Sequence, residues 1–381
     1  MKILIDAHNT ISAGASLITA TFVRQAVAAA PSGDTFVILL PDIPLFGQFK
    51  GPLPEHVSIR FIRQHAMPLQ LAERLWTQAV TLPLALLRHR PDAVFVFGNY
   101  FLPPWKNKTV FMQTAYIVDD RLLAEAGGLA RLQERVVRTL FRMTVRSART
   151  IVVQNEEMRA QLAARCPKQA AGIAVLPTPI SEKLSALGRK QARSFPAGRK
   201  LALYISRYYP HKNHRFLLAV AERFRREFEE RGLGFVVTVD PAVGPEARAF
   251  LDTVRQRGLD PLITNRGEIG QEQLAGLYDE AFALFFPSRA ESFGLPLAEA
   301  MAFGLPVVVP DLPYARSLCG PAGNYYADGD PADAARRLIE LCDRPEAWQA
   351  ASLRSVEQIR SLPSAEEWYR ALVRVMLQRE Q

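Results

Sequence analysis

Short apolar-rich runs alternate with longer segments of mixed character along most of the chain. Lys2–Asp6, Thr35–Leu40, Val57–Ile62, Ala93–Phe97 and Thr109–Met112 have the length and apolar content of buried strands. Between them, Ser16–Ala30 and Gln70–His89 are long enough for helices. The alternation resumes at Leu201–Ile205 and continues through Phe235–Val239, Ala283–Phe286 and Pro306–Val309, with helices over Asn213–Arg231 and Pro245–Gly258. Strand–helix alternation predicts an α/β chain whose parallel sheets are covered on both faces. Two such cycles predict two doubly wound, Rossmann-like domains facing a central cleft. Ser181–Lys200 carries six basic residues, one acid and Gly/Pro breaks, and reads as a linker. The expected division is 1–180, a linker over 181–200, a second domain over 201–362, and a C-terminal segment 363–381. In that segment Ala365–Gln378 places Trp368, Leu372, Val375 and Met376 near one helical face, which must dock on one of the domains.

Composition narrows the class. At 381 residues, 49% hydrophobic and 22% charged, the chain suits a globular protein too large for one core. Cys166, Cys319 and Cys342 are odd in number and scattered, which excludes a disulfide framework or a paired zinc site and suggests a reducing, cytoplasmic setting. An acid at Asp6, after only three apolar residues, argues against a signal peptide. The apolar stretch Ala66–Leu87 is interrupted by Gln70, Glu73, Arg74, Gln78 and two prolines and cannot span a bilayer. The net charge of +9 suits an anionic substrate, a membrane surface or nucleic acid.

Ligands of doubly wound sheets collect at the carboxyl ends of strands. Two such ends in the second half carry unusual chemistry. After Leu201–Ile205 come Arg207 and Lys212, a planar fork and a point charge across a Pro-containing turn. They can be aimed at one anion, although a solvated loop would carry them equally well. After Ala283–Phe286 comes a loop bearing Glu291, then Gly294, then a short helix begun at Pro296 and stopped at Gly304. Glu299 is expected in the opening turn of that helix. A helix N-terminus favours phosphate, and Gly294 lets backbone approach it closely. The two acids would then accept hydrogen bonds from hydroxyls, as on ribose or a sugar. As a bland alternative, Glu299 complements the helix dipole and Glu291 is a surface acid.

Glu291-Ser-Phe-Gly-Leu-Pro-Leu-Ala-Glu299, followed by Ala-Met-Ala-Phe-Gly-Leu-Pro-Val-Val, resembles the E-x7-E signature of the retaining GT-B glycosyltransferases of family 4. Ser206-Arg207 through His211-Lys212-Asn213 is similar to the G-R-x-x-x-x-K-N segment of that family, with Ser206 where glycine is usual. With Gln273–Tyr278, the resemblance covers about 201–350, while the first half matches only in pattern. It implies a GT-B fold and transfer of a sugar from a nucleotide-sugar, a co-substrate rather than a cofactor, to a hydroxyl with retention. It also implies that Arg207 and Lys212 clamp the diphosphate and that Glu291 contacts the donor sugar. Glu299 would hold ribose hydroxyls, and amides near Phe293, Gly294 and Leu295 would cradle the distal phosphate. Such enzymes need no metal; Asp328-Gly-Asp330 matches a D-x-D metal signature only superficially and reads as a loop.

By the same resemblance the first half holds the acceptor, a glycan or a lipid-linked sugar. Gly14, in the Asn9–Ser16 loop, stands where the family has a glycine-rich loop near the donor phosphate. Where many members carry a histidine, this chain has Gln113 and Thr114, and Gln cannot take a proton. The leaving phosphate would then accept it, with Asp119 or Asp120 as the other candidate base. His8 is a further candidate after the first strand, though a lone histidine is more often structural.

Finally, Arg131, Arg135, Arg138, Arg142, Arg146 and Arg149 form one stripe of a helix within Gly128–Thr150, with Leu129, Leu132, Val136, Leu140 and Met143 expected in the core behind it. A solvated face and an anionic membrane surface fit the stripe about equally. Nucleic acid is set aside for want of a recognised module. The combined expectation is a glycosyltransferase of bacterial envelope or exopolysaccharide assembly, cytoplasmic and peripheral at the inner face of the membrane. The alternatives are an inactive nucleotide-binding scaffold and a nucleotide-sugar epimerase.

Overall fold

The computed structural model describes residues 1–11, 13–29, 33–64, 69–117, 120–125, 128–188 and 191–377. The chain separates into two compact units, Met1–Ser181 with Pro363–Gln381, and Glu182–Leu362. Each is built on one parallel sheet.

The first sheet has seven strands: β1 (Lys2–Asp6), β2 (Thr35–Pro41), β3 (Val57–Ile62), β4 (Ala93–Val96), β5 (Lys108–Phe111), β6 (Thr150–Val153) and β7 (Ile173–Val175), in the order β3-β2-β1-β4-β5-β6-β7. The second has six: β8 (Lys200–Tyr204), β9 (Leu233–Val237), β10 (Ile263–Asn265), β11 (Ala283–Phe285), β12 (Val307–Pro310) and β13 (Gly323–Tyr326), in the order β10-β9-β8-β11-β12-β13. Every pairing is parallel. The order reverses once in each sheet, between β1 and β4 and between β8 and β11, and these switch points open crevices at the strands' carboxyl ends. The doubly wound α/β architecture expected from the alternation is therefore present twice.

Central strands are apolar throughout because both faces are covered: Ile3, Leu4, Ile5, Phe95 and Val96 are fully buried, as are Phe285, Val307 and Val308. The helix Ala365–Leu377 returns to the first unit, burying Trp368 against Phe111 and Tyr369 against Phe22. Ser181–Lys200, read from composition as a linker, is largely part of the second unit. Glu182–Leu187 is helical there, Arg193 donates to the Tyr278 carbonyl, and Phe195 packs edge-on against Trp348. The segment expected as a single helix over Asn213–Arg231 breaks at Phe224 into His214–Arg223 and Arg225–Glu230. The helical run from Leu69 to His89 continues by passing through a π-helical turn at Thr77–Thr81, which ends two residues before Pro83, where an α-helical hydrogen bond is lost.

Candidate functional site

At the switch point of the second sheet, the loops after β8 and β11 are tied together. Beyond β8 the chain passes Arg207 into a tight turn at Pro210–Lys212, and Asn213 then takes a left-handed conformation at φ 59° that starts the next helix. The Tyr204 hydroxyl donates to the Lys212 carbonyl, and the Arg289 amide donates to the His211 carbonyl at 2.8 Å. These bonds fix where the Lys212 side chain can reach.

Lys212 Nζ lies 2.5 Å from Glu291 Oε1, with the two side chains only 15% and 10% exposed, and stands 5.5 Å from the centre of the Phe286 ring. Arg207 pairs instead with Glu268, an acid from the loop after β10, and both of these side chains are substantially exposed. The two cations expected to share one anion are thus each held by a separate acid. The sequence reading missed Glu268, which no motif marks. An exposed pair of this kind contributes at most about 1 kcal/mol, so a phosphate can displace Glu268 at little cost.

The helix after Glu291 spans Leu295–Ala302, with Pro296 in its first turn. Its earliest intrahelical bonds run from the Leu297 and Ala298 amides to the Gly294 carbonyl, so the backbone at Gly294 and Leu295 precedes them. Phe293 is buried and anchors the loop. Gly294 sits at φ 92°, and a Cβ there would come within 3.1 Å of Leu297 Cδ1. Gly294→Ala is therefore expected to cost about 1–2 kcal/mol in strain, read as a lowered Tm.

Glu299 is not in the opening turn. It lies one turn further in, 5% exposed, and accepts a 2.9 Å hydrogen bond from the Tyr278 hydroxyl. Burial pushes its carboxyl up to about 7, against a smaller opposing effect of Tyr278. Pro296 does sit in the first turn, as the sequence predicts, but Leu295 already belongs to the helix, which carries Glu299 past the opening turn. His211 and His214 are both held neutral, mainly by burial and then by Lys212, at about 4 and about 3 respectively. His214 is packed among Tyr204, Tyr208 and Phe250, a structural place. Asp330, the second acid of the D-x-D run, caps the helix Pro331–Asp343 by accepting from the Ala332 and Asp333 amides.

In the first unit, Gln113 lies two residues past β5, followed by Thr114. Both Gln113 amide atoms are buried without a partner among the described residues. Gly14 belongs to the helix Ala13–Ala28 rather than to a loop, and Asp119 lies outside the described residues. Asp120 is exposed and serves as the counter-ion of Arg138 and Arg165, which lower its carboxyl.

The arginine stripe is only partly as expected. In the helix Gly128–Arg146 it is Phe141, Thr144, Val145 and Arg138 that are buried, while Leu132, Val136 and Met143, expected in the core, are exposed at 58%, 49% and 51%. The i, i+3, i+4 set led by Phe141 wins the sheet contact, because the largest side chain buries the most area. That turns the Leu132/Val136/Met143 row outward, beside exposed Arg135, Arg142 and Arg146. The side chain of Leu129 lies outside the described residues, and Arg149 follows the helix.

Residues 199–344 match the family described as Glycosyl transferases group 1. Among curated proteins, D-inositol 3-phosphate glycosyltransferase of Corynebacterium kroppenstedtii is 29% identical over 44% of this chain and 38% of its own length. The 2-deoxystreptamine N-acetyl-D-glucosaminyltransferase of Streptomyces fradiae is 26% identical over 68% of this chain. The match covers 63% of that protein, so neither relative is spanned for two thirds of its length. Sucrose-phosphate synthase from Thermosynechococcus elongatus superposes with a TM-score of 0.76 at 18% identity, over 99% of this chain and 98% of that one. WaaG, a glycosyltransferase involved in lipopolysaccharide biosynthesis, does so at 0.71 and 15% identity, over 97% and 98%. At these identities the superpositions establish the two-unit GT-B fold.

Proposed function

We propose that the chain, whose residues 199–344 match the family described as Glycosyl transferases group 1, moves a sugar from a nucleotide-sugar donor to a hydroxyl acceptor, with retention at the anomeric carbon. The observation that carries this reading is the Lys212–Glu291 pair, 2.5 Å apart beside the start of the helix Leu295–Ala302. A lysine ammonium has three donors, so Lys212 can keep Glu291 and still bind a phosphate oxygen. As the bond from C1 to the diphosphate breaks, charge grows on the leaving oxygen, and Lys212 and Arg207 oppose it there. The acceptor oxygen forms the new bond to C1, and its proton passes to the departing phosphate. Glu291 accepts from a donor-sugar hydroxyl and Glu299 from the ribose. No metal enters this scheme.

A thermal-shift panel of UDP-, GDP-, ADP- and dTDP-sugars tests the donor site. A ligand at 100 times its Kd adds about 2.7 kcal/mol, and one nucleotide should do so in the wild type but not in Arg207→Ala or Lys212→Ala. Binding without donor hydrolysis or transfer to any acceptor would favour the nucleotide-binding scaffold instead.

A second observation supports action at an anionic membrane, in envelope or exopolysaccharide assembly. No described helix is long and apolar enough to cross a bilayer. Yet Leu132, Val136 and Met143 are exposed beside Arg135, Arg142 and Arg146 on one helix, and Trp76, Leu84 and Leu87 are exposed at 63%, 57% and 73%. An apolar row flanked by cations suits the headgroup–acyl boundary. Each basic residue near anionic lipid adds about 1 kcal/mol, so Arg142→Gln/Arg146→Gln should bind phosphatidylglycerol vesicles about thirtyfold more weakly in co-sedimentation. Equal pelleting with pure phosphatidylcholine would sink the idea.

A further inference from the structure

The last strand of the second sheet, β13, has a neighbour strand on one side only. Beside it, the helices Pro313–Cys319, Pro331–Asp343 and Pro345–Ile359 border a pocket of about 430 Å³, a size in the range of ~300–1,000 Å³ usual for small-molecule sites. Each helix contributes one arginine to the wall: Arg316, Arg337 and Arg354. Against these three cations, Glu340 is the one acid among the described lining residues. No residue of the wall belongs to the loops after β8, β10 or β11, which carry Arg207, Lys212, Glu268 and Glu291. The pocket is separate from the donor site.

The three guanidinium groups are held in place without being satisfied. A Cβ on Gly323 would collide with Tyr325 Cζ, so only glycine lets that ring lie against the strand. The Tyr325 hydroxyl donates to the Gly320 carbonyl at 2.7 Å, and the Arg316 guanidinium stacks on the ring, 3.9 Å from its centre. Asp311 takes Arg316 through Nε and Nη2, which fixes the plane and leaves Nη1 without a partner among the described residues. Arg337 has a buried Nε with no hydrogen bond among the described residues. The acid beside it, Asp333, is already engaged: Oδ1 takes Arg336 and Oδ2 the Ala327 amide, and Arg337 Nε stays 3.6 Å away. Glu340 lies 4.0 Å from Arg337 Nη1 and accepts from Arg344 instead. Arg354 is half-buried and makes no hydrogen bond or ion pair among the described residues. Partly buried cations that no acid reaches are unfavourable until an anion joins them.

We propose that Arg316, Arg337 and Arg354 form a second anion site, which takes a small phosphate monoester in its dianionic form. A phosphate offers three terminal oxygens to three planar forks, whereas a carboxylate offers only two. Leu341 and Ala350 give the pocket an apolar flank for the carbon part of an ester, and a bare phosphate would leave most of the volume empty. The site stands on residues that the transferase reading does not use, so the two stand or fall separately.

The test is calorimetric titration of the full chain with glycerol 3-phosphate, inorganic phosphate and glycerol. Glycerol 3-phosphate should bind one to one, inorganic phosphate more weakly, and glycerol not at all. Arg337→Gln and Arg354→Gln should each weaken the ester about tenfold, the loss of one charge-assisted hydrogen bond. Arg354 has no partner to lose, so Arg354→Gln should also keep the wild-type Tm. Arg226→Gln removes the same charge from an exposed helix elsewhere in the unit and should change nothing. Arg207→Ala should bind the ester as the wild type does, because the donor site lies apart. Affinity should rise between about pH 5 and 7, as the ester takes its second charge near pH ~6. No heat with glycerol 3-phosphate, or unchanged affinity in Arg354→Gln, overturns the proposal. So does an equal drop in Arg226→Gln, which would reduce the binding to net charge, or loss in Arg207→Ala, which would put the phosphate in the donor site.

Discussion

Lys212→Ala should lower kcat/KM for sugar transfer by about a hundred- to a thousandfold, the range typical of losing one preorganised donor to a developing negative charge. The same substitution should destabilise the fold, for a separate reason. It leaves Glu291, only 10% exposed, without the cation 2.5 Å away. Removing one partner of a buried pair costs about 3–5 kcal/mol, and this pair, slightly open to water, should fall toward the lower end. The two effects separate in a cycle with Glu291→Ala. The double variant should regain most of the stability, because no uncompensated charge remains, yet transfer should stay at least as low as in Lys212→Ala. Denaturation midpoints and initial rates on the four proteins decide it. Recovery of activity along with stability would mean that Lys212 merely holds the loop. Arg207→Ala offers the contrast: its exposed pair with Glu268 predicts almost no loss of stability alongside a large loss of donor affinity.

How far the chain could be read varied with the kind of signal. β1 and β3 were legible to the residue, because Lys2 and Asp6 bracket Ile3–Ile5, and the apolar–polar alternation of 57–62 lies between His56 and Arg63. β7 and β10 were not: Ile173–Val175 and Ile263–Asn265 are too short to show a period, and the equally short β11 was read only because it lies within a longer apolar run, 281–286. The helix Gly128–Arg146 shows a different limit. Its arginine and leucine rows were both visible, but two rows do not say which angle faces the sheet, and Phe141 decided that through packing. In the second unit, Lys212 and Glu291 were legible because they lie in dense local motifs, while Glu268 comes from a third loop and meets Arg207 only through the fold. Asp6 and His8, with His8 Nδ1 2.5 Å from Asp6 Oδ1, are the instructive miss. Residues two apart at the end of a strand point to the same side, so the pair could have been read from Asp-Ala-His alone, yet His8 was weighed as a lone histidine.

The last large effect should come from Glu299 and should depend on pH. Its carboxyl, raised from 4.5 to about 7 by burial, stays protonated in the folded protein over a range where the unfolded chain has already ionised. Below about pH 4.5 both states carry the proton and Glu299 costs nothing. As pH climbs to 7, the folded state retains a proton that the unfolded state has released, and stability drains away, by about 3 kcal/mol in total once pH exceeds 7. Glu299→Gln keeps the shape and an acceptor oxygen for the Tyr278 hydroxyl but cannot ionise. The variant should match the wild type near pH 4.5 and exceed it by up to about 3 kcal/mol near pH 8.5 in denaturant titrations. Equal pH slopes in the two proteins would show that the carboxyl is not held protonated. Ligand binding should run the other way. Ribose hydroxyls donate better to a carboxylate than to an acid, so nucleotide affinity in the wild type should rise through pH 7, and in Glu299→Gln it should stay flat. A residue that lowers stability at the pH where it binds best is better explained by a ligand than by packing, because a ligand's hydroxyls supply the hydrogen bonds that the buried charge lacks when the site is empty.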